Sequence, residues 1–214
     1  MSEVLTGMPF SIEDSKRMEK LNVPPKHKEV SDKIYKLLKD LKQKELEEYL
    51  ATLKKELYVD MDGTLVDFIS QINKYGYWRK NKTNKVDWDK VIAEGPKFWA
   101  EMDWMPGAKE AFAKLQEYAA QGFFELYILS SIDFDEGQEG KKMWIKIHTD
   151  FPIENVIFVQ EPEDKAFFAD SKAWLIDDRK KSLEPFSERG NIIEFTGDWN
   201  RTLEEVMKYL GKKV

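Results

Sequence analysis

Residues 57–68 read Leu-Tyr-Val-Asp-Met-Asp-Gly-Thr-Leu-Val-Asp-Phe. Leu57–Met61 has the apolar texture of a short strand that ends in acid, and Asp60 and Asp62 sit two residues apart where it runs out. Gly63 permits a tight backbone exit at that point. Downstream, four more apolar runs read as strands: Phe124–Leu129, Asn155–Val159, Ala173–Ile176 and Asn191–Phe195. Between them lie helical patterns over Gly107–Gly122 and Lys141–His148, and a last one through Leu203, Val206 and Leu210. Strands separated by helices imply parallel pairing with right-handed crossovers. The expected fold is therefore α/β, a Rossmann-like parallel sheet with helices on both faces.

Such sheets bind ligands beyond the carboxyl ends of their strands. The polar residues at those ends are Asp60, Asp62, Thr64 and Asp67 after the first strand, Ser130 and Ser131 after the second, Lys165 after the third, and Asp177 and Asp178 after the fourth. Clustered carboxylates repel, and a hard cation with a preference for oxygen relieves the conflict. Mg²⁺ suits this, because it takes one or two carboxylates plus a phosphate oxygen and keeps several waters. A carboxylate can attack phosphorus, and a second acid can protonate the leaving oxygen and later activate water. An ammonium and hydroxyls would hold the remaining phosphate oxygens. Residue chemistry thus points to Mg²⁺-dependent phosphoryl transfer.

The order DMDGTLVDF, SS, Lys, IDD resembles the four-motif pattern of the haloacid dehalogenase superfamily over roughly residues 57–210. The resemblance implies Asp60 as nucleophile and Asp62 as general acid and base. It implies phosphate contacts from Ser130 and Lys165, with Ser131 open between that role and a backbone cap. It implies Mg²⁺ held by Asp60, the carbonyl of Asp62 and the acidic pair, with Asp178 favoured and Asp177 beside it. An Asp two residues after the nucleophile marks the phosphatase branch. DGTLVDF, FWAEMDWMPGAKEA, LSS and WLIDDR further resemble the 5′(3′)-deoxyribonucleotidases, small members with a helical cap. That likeness implies a base pocket lined by Phe68, Phe98 and Trp99; adjacent aromatics also serve as core, and both readings stay open. Departures are the Ser-Ser-Ile in the second motif and a first stretch of 55 residues with no counterpart in the pattern.

The expected organisation is an N-terminal helical extension, 1–56, and a phosphatase domain, 57–214, with a cap insert at about 69–105. Within the extension, Val30, Ile34, Leu37, Leu38 and Leu41 recur at helical spacing, as do Leu46, Leu50 and Leu53 after a phase shift. Trp78, Trp88, Trp104 and Trp144 are read as packing, and Asp67 as a helix N-cap.

Composition bounds the rest. The chain has 214 residues, no Cys, and a formal charge of −6. No Cys excludes disulfides, thiolate nucleophiles and Cys-ligated metals. Residues 1–56 carry +1 and 57–214 carry −7, which disfavours broad nucleic-acid binding. One basic run, Arg79, Lys80, Lys82 and Lys85, has no acid between Ser70 and Asp87; it reads as a solvated loop or as an attractor for a phosphorylated substrate. No apolar run reaches the roughly 18 residues of a membrane span, and no signal-peptide pattern opens the chain. The expectation is a cytoplasmic enzyme hydrolysing a small phosphomonoester, foremost a (deoxy)nucleoside monophosphate. A polynucleotide 3′-phosphatase, a sugar-phosphate phosphatase, and a binding or scaffold protein on the same fold are the competing readings. A small cap leaves the site partly open, so a homodimer partner could help close it.

Overall fold

In a computed structural model, the structure describes residues 54–79 and 85–209, together with Glu29, Asp32, Lys33 and Lys36, which are helical. The expected irregular stretch 1–25, most of the helical extension, Lys80 and Lys82 of the basic run, and Leu210 lie outside the described residues.

Five strands form one parallel sheet: β1 (Glu56–Val59), β2 (Glu125–Ser131), β3 (Val156–Val159), β4 (Ala173–Asp177) and β5 (Asn191–Glu194). Their order is β3-β2-β1-β4-β5. β1 is central, with Val59 opposite Ile128 on one side and Ile176 on the other. The ladder runs one step beyond the strand, where the Asp60 amide donates to Ile176 O at 2.9 Å. Asp60 and Asp177 therefore come level at the carboxyl edge, with Ser130 and Ser131 ending β2 beside them.

A strand buried on both faces needs apolar residues in both phases of its period of two. Leu57, Val59, Ile128 and Ile176 point to one layer, with Phe112, Leu115, Trp144 and Val206. Tyr58, Tyr127, Leu129 and Leu175 point to the other, with Leu183 and Phe186. The covering helices are α4 (Ala108–Ala120), α5 (Asp135–His148), α6 (Lys180–Ser187) and α7 (Trp199–Tyr209).

Between β1 and α4 lie three short helices, α1 (Phe68–Tyr75), α2 (Trp88–Ala93) and α3 (Lys97–Ala100). Asp67 caps α1, its carboxylate accepting from Ser70 N at 2.9 Å and Ser70 Oγ at 2.6 Å. The insertion closes at its base, where Asp67 N donates to Asp103 O at 2.9 Å and Met105 N to Leu65 O at 2.8 Å. Gln71 Nε2 donates to Phe98 O at 2.7 Å, tying α3 to α1, and Trp144 Nε1 donates to Met102 O at 2.7 Å, tying the segment after α3 to α5.

One element is longer than its sequence suggests. α5 begins at Asp135, not Lys141, and carries Gly137 and Gly140 in its interior. Each glycine costs about 1 kcal/mol against Ala in a helix. The acids Asp135 and Glu136 in the first turn favour the helix start through its dipole. The glycines are tolerated because α3 and Ile132 press on them: a Cβ on Gly137 would lie 2.5 Å from Ile132 Cγ1, and one on Gly140 would lie 2.8 Å from Trp99 Cβ.

Candidate active site

The carboxyl edge of the sheet gathers the acids that the motif spacing singles out. Asp60 and Asp177 are buried, and with the exposed Asp178 they offer carboxylate oxygens within 4.8 Å of one another. Lys165, in a 3₁₀ segment over Pro162–Phe168, reaches between the first two. Its Nζ donates to Asp60 Oδ1 at 2.5 Å and to Asp177 Oδ2 at 2.6 Å. Asp177 Oδ1 accepts from the Arg179 amide at 2.8 Å, which fixes the carboxylate.

Electrostatics here are strained in one direction. Burial pushes the Asp60 carboxyl up to about 7; Lys165 opposes this, and Asp177 and Asp62 add to it. Asp178 is pushed up to about 6, by loss of water first and by Asp177 second. Lys165 is moved upward, because Asp60 and Asp177 together outweigh its own burial. One ammonium among three carboxylates leaves negative charge over, and the donor set is all oxygen. A hard divalent cation fits that set, and Asp60, Asp177 and Asp178 would hold it.

Gly63 is part of the fit. Its φ is +81°, and a Cβ there would lie 2.6 Å from Asp178 Oδ2. Asp178 is thus seated directly against the turn that follows Asp62. Any side chain at Gly63 would be strained by its backbone and would displace that carboxylate.

A second ammonium holds the other acid. Lys141, fully buried on α5, donates from Nζ to Asp62 Oδ2 at 2.7 Å and to Ser130 Oγ at 2.8 Å. Sequence reasoning missed this residue, because helix α5 was expected to start at Lys141 itself. The available signal was spacing: Lys141 precedes Trp144 and Ile145 by three and four residues, on the stripe that α5 buries. Asp62 Oδ1 is buried with no hydrogen-bond partner among the described residues. Such an atom is a place where a further group is expected to bind.

Above the edge opens a cleft of about 540 Å³. Asp62, Gly63, Ser131 and Asp178 form its floor, and Phe68, Trp88 and Phe134 its aromatic wall. Phe68 and Trp88 stack at 5.7 Å between centroids, and Trp88 meets Phe134 at 5.6 Å. Arg179 and Lys181 stand on its rim. Of the aromatics expected in a base pocket, only Phe68 lines this cleft. Phe98 and Trp99 have no exposed surface. The short helix α3 turns them inward, Phe98 edge-on to Phe68 at 6.0 Å and Trp99 onto the glycines of α5. Trp88, read from sequence as packing, takes the exposed position instead.

No protein-family model matches the chain. A protein of Vibrio phage KVP40 described as "Putative 5'(3')-deoxyribonucleotidase" is 30% identical over 128 residues, 59% of this chain and 67% of its own length. The chain belongs to the haloacid dehalogenase superfamily. It is a phosphatase-type hydrolase of that group. Similar solved structures include a haloacid dehalogenase-like hydrolase from Streptococcus pneumoniae, 16% identical, TM-score 0.44, covering 73% of this chain and 98% of that one. Another is from Xanthomonas campestris, 11% identical, TM-score 0.45, covering 75% and 99%. Membership rests on the phage relative and on the four motifs at the sheet edge, not on these superpositions. No helix among the described residues is long and apolar enough to cross a membrane.

Proposed function

We propose that the chain is a Mg²⁺-dependent phosphomonoesterase that hydrolyses nucleoside monophosphates, deoxyribonucleotides first, through an aspartyl-phosphate on Asp60. The observation that carries this reading is the pair of lysine clamps at one sheet edge. Lys165 holds Asp60 and Asp177, and Lys141 holds Asp62 and Ser130, under a cleft walled by aromatic rings.

Asp60, with Oδ1 on Lys165, attacks phosphorus with a carboxylate oxygen. The bond from phosphorus to the ester oxygen breaks, and that oxygen takes a proton from Asp62. Water then attacks the phosphorus, its proton passes to Asp62, and the bond from Asp60 to phosphorus breaks. Asp62 Oδ1 has no hydrogen-bond partner among the described residues, and in this reading it meets the ester oxygen, and then the water, that substrate brings to it. Lys141 keeps Oδ2 fixed and aims Ser130. Ser130, Ser131 and the two ammonium groups supply donors for the phosphoryl oxygens. Bound Mg²⁺ would supply neutralisation of the carboxylates and of the phosphoryl charge.

Phe68, Trp88 and Phe134 give the cleft an affinity for a planar leaving group, since every base has a π-face. The phage relative's name supports the nucleotide assignment. In this reading residues 69–105 act as the cap and Arg179 and Lys181 attract the anion. The test is phosphate release, with and without Mg²⁺, from deoxy- and ribonucleoside monophosphates, sugar phosphates and 3′-phosphorylated oligonucleotides, with Asp60→Asn as control. Mg²⁺-dependent turnover of deoxynucleoside monophosphates, lost in the variant, is the expected result. Turnover confined to sugar phosphates or oligonucleotide ends would overturn the substrate assignment, and no turnover at all would overturn the enzymatic one.

A further inference from the structure

Helix α5 touches the cap and the reacting groups with one face. Gly137, Gly140, Lys141 and Trp144 are all buried on it, spaced three, four and seven residues from the first. Gly140 lies flush against α3 and the residue before it: a Cβ there would overlap the Pro96 carbonyl oxygen and lie 3.0 Å from Pro96 C and 2.8 Å from Trp99 Cβ. Pro96 O is backbone, already accepting from Ala100 N at 3.1 Å, so it cannot swing aside. One turn on, Trp144 Nε1 clasps Met102 O at 2.7 Å. The residue adjoining Gly140 is Lys141, whose ammonium spans Asp62 and Ser130 at 2.7 and 2.8 Å.

We propose that Gly140 is a positioning residue: by putting no side chain between α5 and the Pro96 carbonyl, it seats α5 on the cap and so sets the Lys141 ammonium on Asp62 and Ser130. This rests on the phosphatase reading for its kinetic consequence, but not for its geometry. Two glycines in one helix work against the helix locally. Such a conflict between local preference and global structure is expected where a site demands it. The close approach gives Gly140 its reason, and the lysine beside it gives the approach a purpose. A displacement of about 1 Å at a reacting group can cost roughly 10²-fold in rate. The overlap at Gly140 demands a shift of that order, and α5 is rigid enough to carry it to Lys141. The cap is then no free lid on this side: it is the seat that keeps the second lysine in register.

The experiment is a double-mutant cycle of Gly140→Ala with Lys141→Met, read as kcat and KM on the best substrate, with thermal melts of all four proteins. Gly140→Ala is expected to lower kcat roughly 10²-fold while changing KM by no more than about threefold, since the aromatic wall is untouched. In the Lys141→Met background the same substitution is expected to change kcat by less than about twofold, because its target is gone. Equal losses in both backgrounds would overturn the proposal, as would full activity of Gly140→Ala. Should Gly140→Ala fail to fold, Gly137→Ala replaces it in the same cycle, since its overlap is with the Ile132 side chain. If the parent turns over nothing, the phosphatase reading fails and a crystal structure of the glycine variant decides. Separation of Lys141 Nζ from Asp62 beyond hydrogen-bond reach supports the positioning role, and a retained 2.7 Å contact overturns it.

Discussion

The two lysines at the sheet edge do the same chemical work in different settings. Lys165 is held by a short 3₁₀ segment and is sealed between two buried carboxylates. Lys141 comes from the middle of a long helix and meets Asp62, whose side chain keeps 28% of its exposure. The first set is the buried foundation of the site, where charge is walled off from water and Lys165 fixes the proposed nucleophile Asp60. The second is its more open side, where in the proposed mechanism Asp62 must meet both a leaving group and water. Burial separates the two: Asp60 and Asp177 are sealed around their ammonium, and Asp62 keeps an opening beside its own.

The largest effect that would test this contrast is loss of the proposed nucleophile. Asp60→Asn is expected to lower kcat by roughly 10⁴-fold or more, measured as phosphate release in saturating Mg²⁺. Next come the lysines. Lys165→Met leaves Asp60 and Asp177 buried beside one another without their cation, so it is expected to cost about 3–5 kcal/mol of stability as well as activity. Lys141→Met is expected to lower kcat by roughly 10²–10³-fold with a much smaller drop in melting temperature, since Asp62 can regain water. Equal destabilisation by the two substitutions would erase the distinction between foundation and open side.

Strand ends were legible in the sequence because backbone pairing fixes them. Asp60 and Asp177 are level, with Ser130 one residue further along β2, because parallel β1, β2 and β4 are in register, and a strand that stops in acid announces its own edge. Lys165 follows the third strand closely, so the same logic found it. Lys141 and Trp88 were missed for a different reason. Their positions depend on how helices pack, and the packing turned on features that read as something else. The helical pattern was read only over Lys141–His148, so α5 was expected to begin there and the glycine end of its buried face was out of view. Phe98 and Trp99 were expected in a pocket because the likeness to the deoxyribonucleotidases put them there, while their adjacency also fitted a core. The four-residue helix α3 has room to bury both, and the exposed ring fell to Trp88 on a separate helix.

Trp88 and Phe98 therefore make the next comparison. Both touch Phe68, Trp88 stacked at 5.7 Å and Phe98 edge-on at 6.0 Å, but only Trp88 lines the cleft. Trp88→Ala is expected to raise KM for nucleoside monophosphates roughly 10-fold with kcat little changed and KM for an aliphatic phosphate unaffected. Phe98→Leu is expected to lower the melting temperature and leave the ratio of the two KM values alone. The reverse pattern would restore Phe98 to the pocket and require the cap to rearrange on binding.

The smallest effect concerns pH, and it tests the foundation alone. Asp60 is pushed up to about 7 and Asp178 up to about 6, so each native pKa lies above its unfolded value near 4. Between about pH 4 and 7 the native chain then binds more protons than the unfolded one, and stability falls as pH rises through that window. Lys165 is raised too, but its own window lies near and above pH 10. An amide at position 60 has nothing to ionise. The melting temperature of Asp60→Asn minus that of the parent, in chelator, is therefore expected to grow from pH 5 to pH 8, by roughly 2–4 °C for each kcal/mol. Mg²⁺ at pH 8 is expected to narrow the gap, because it stabilises the ionised acids of the parent. A gap that stays flat with pH would mean that Lys165 alone balances the cluster, and the case for a cation held by Asp60, Asp177 and Asp178 would lose its electrostatic ground.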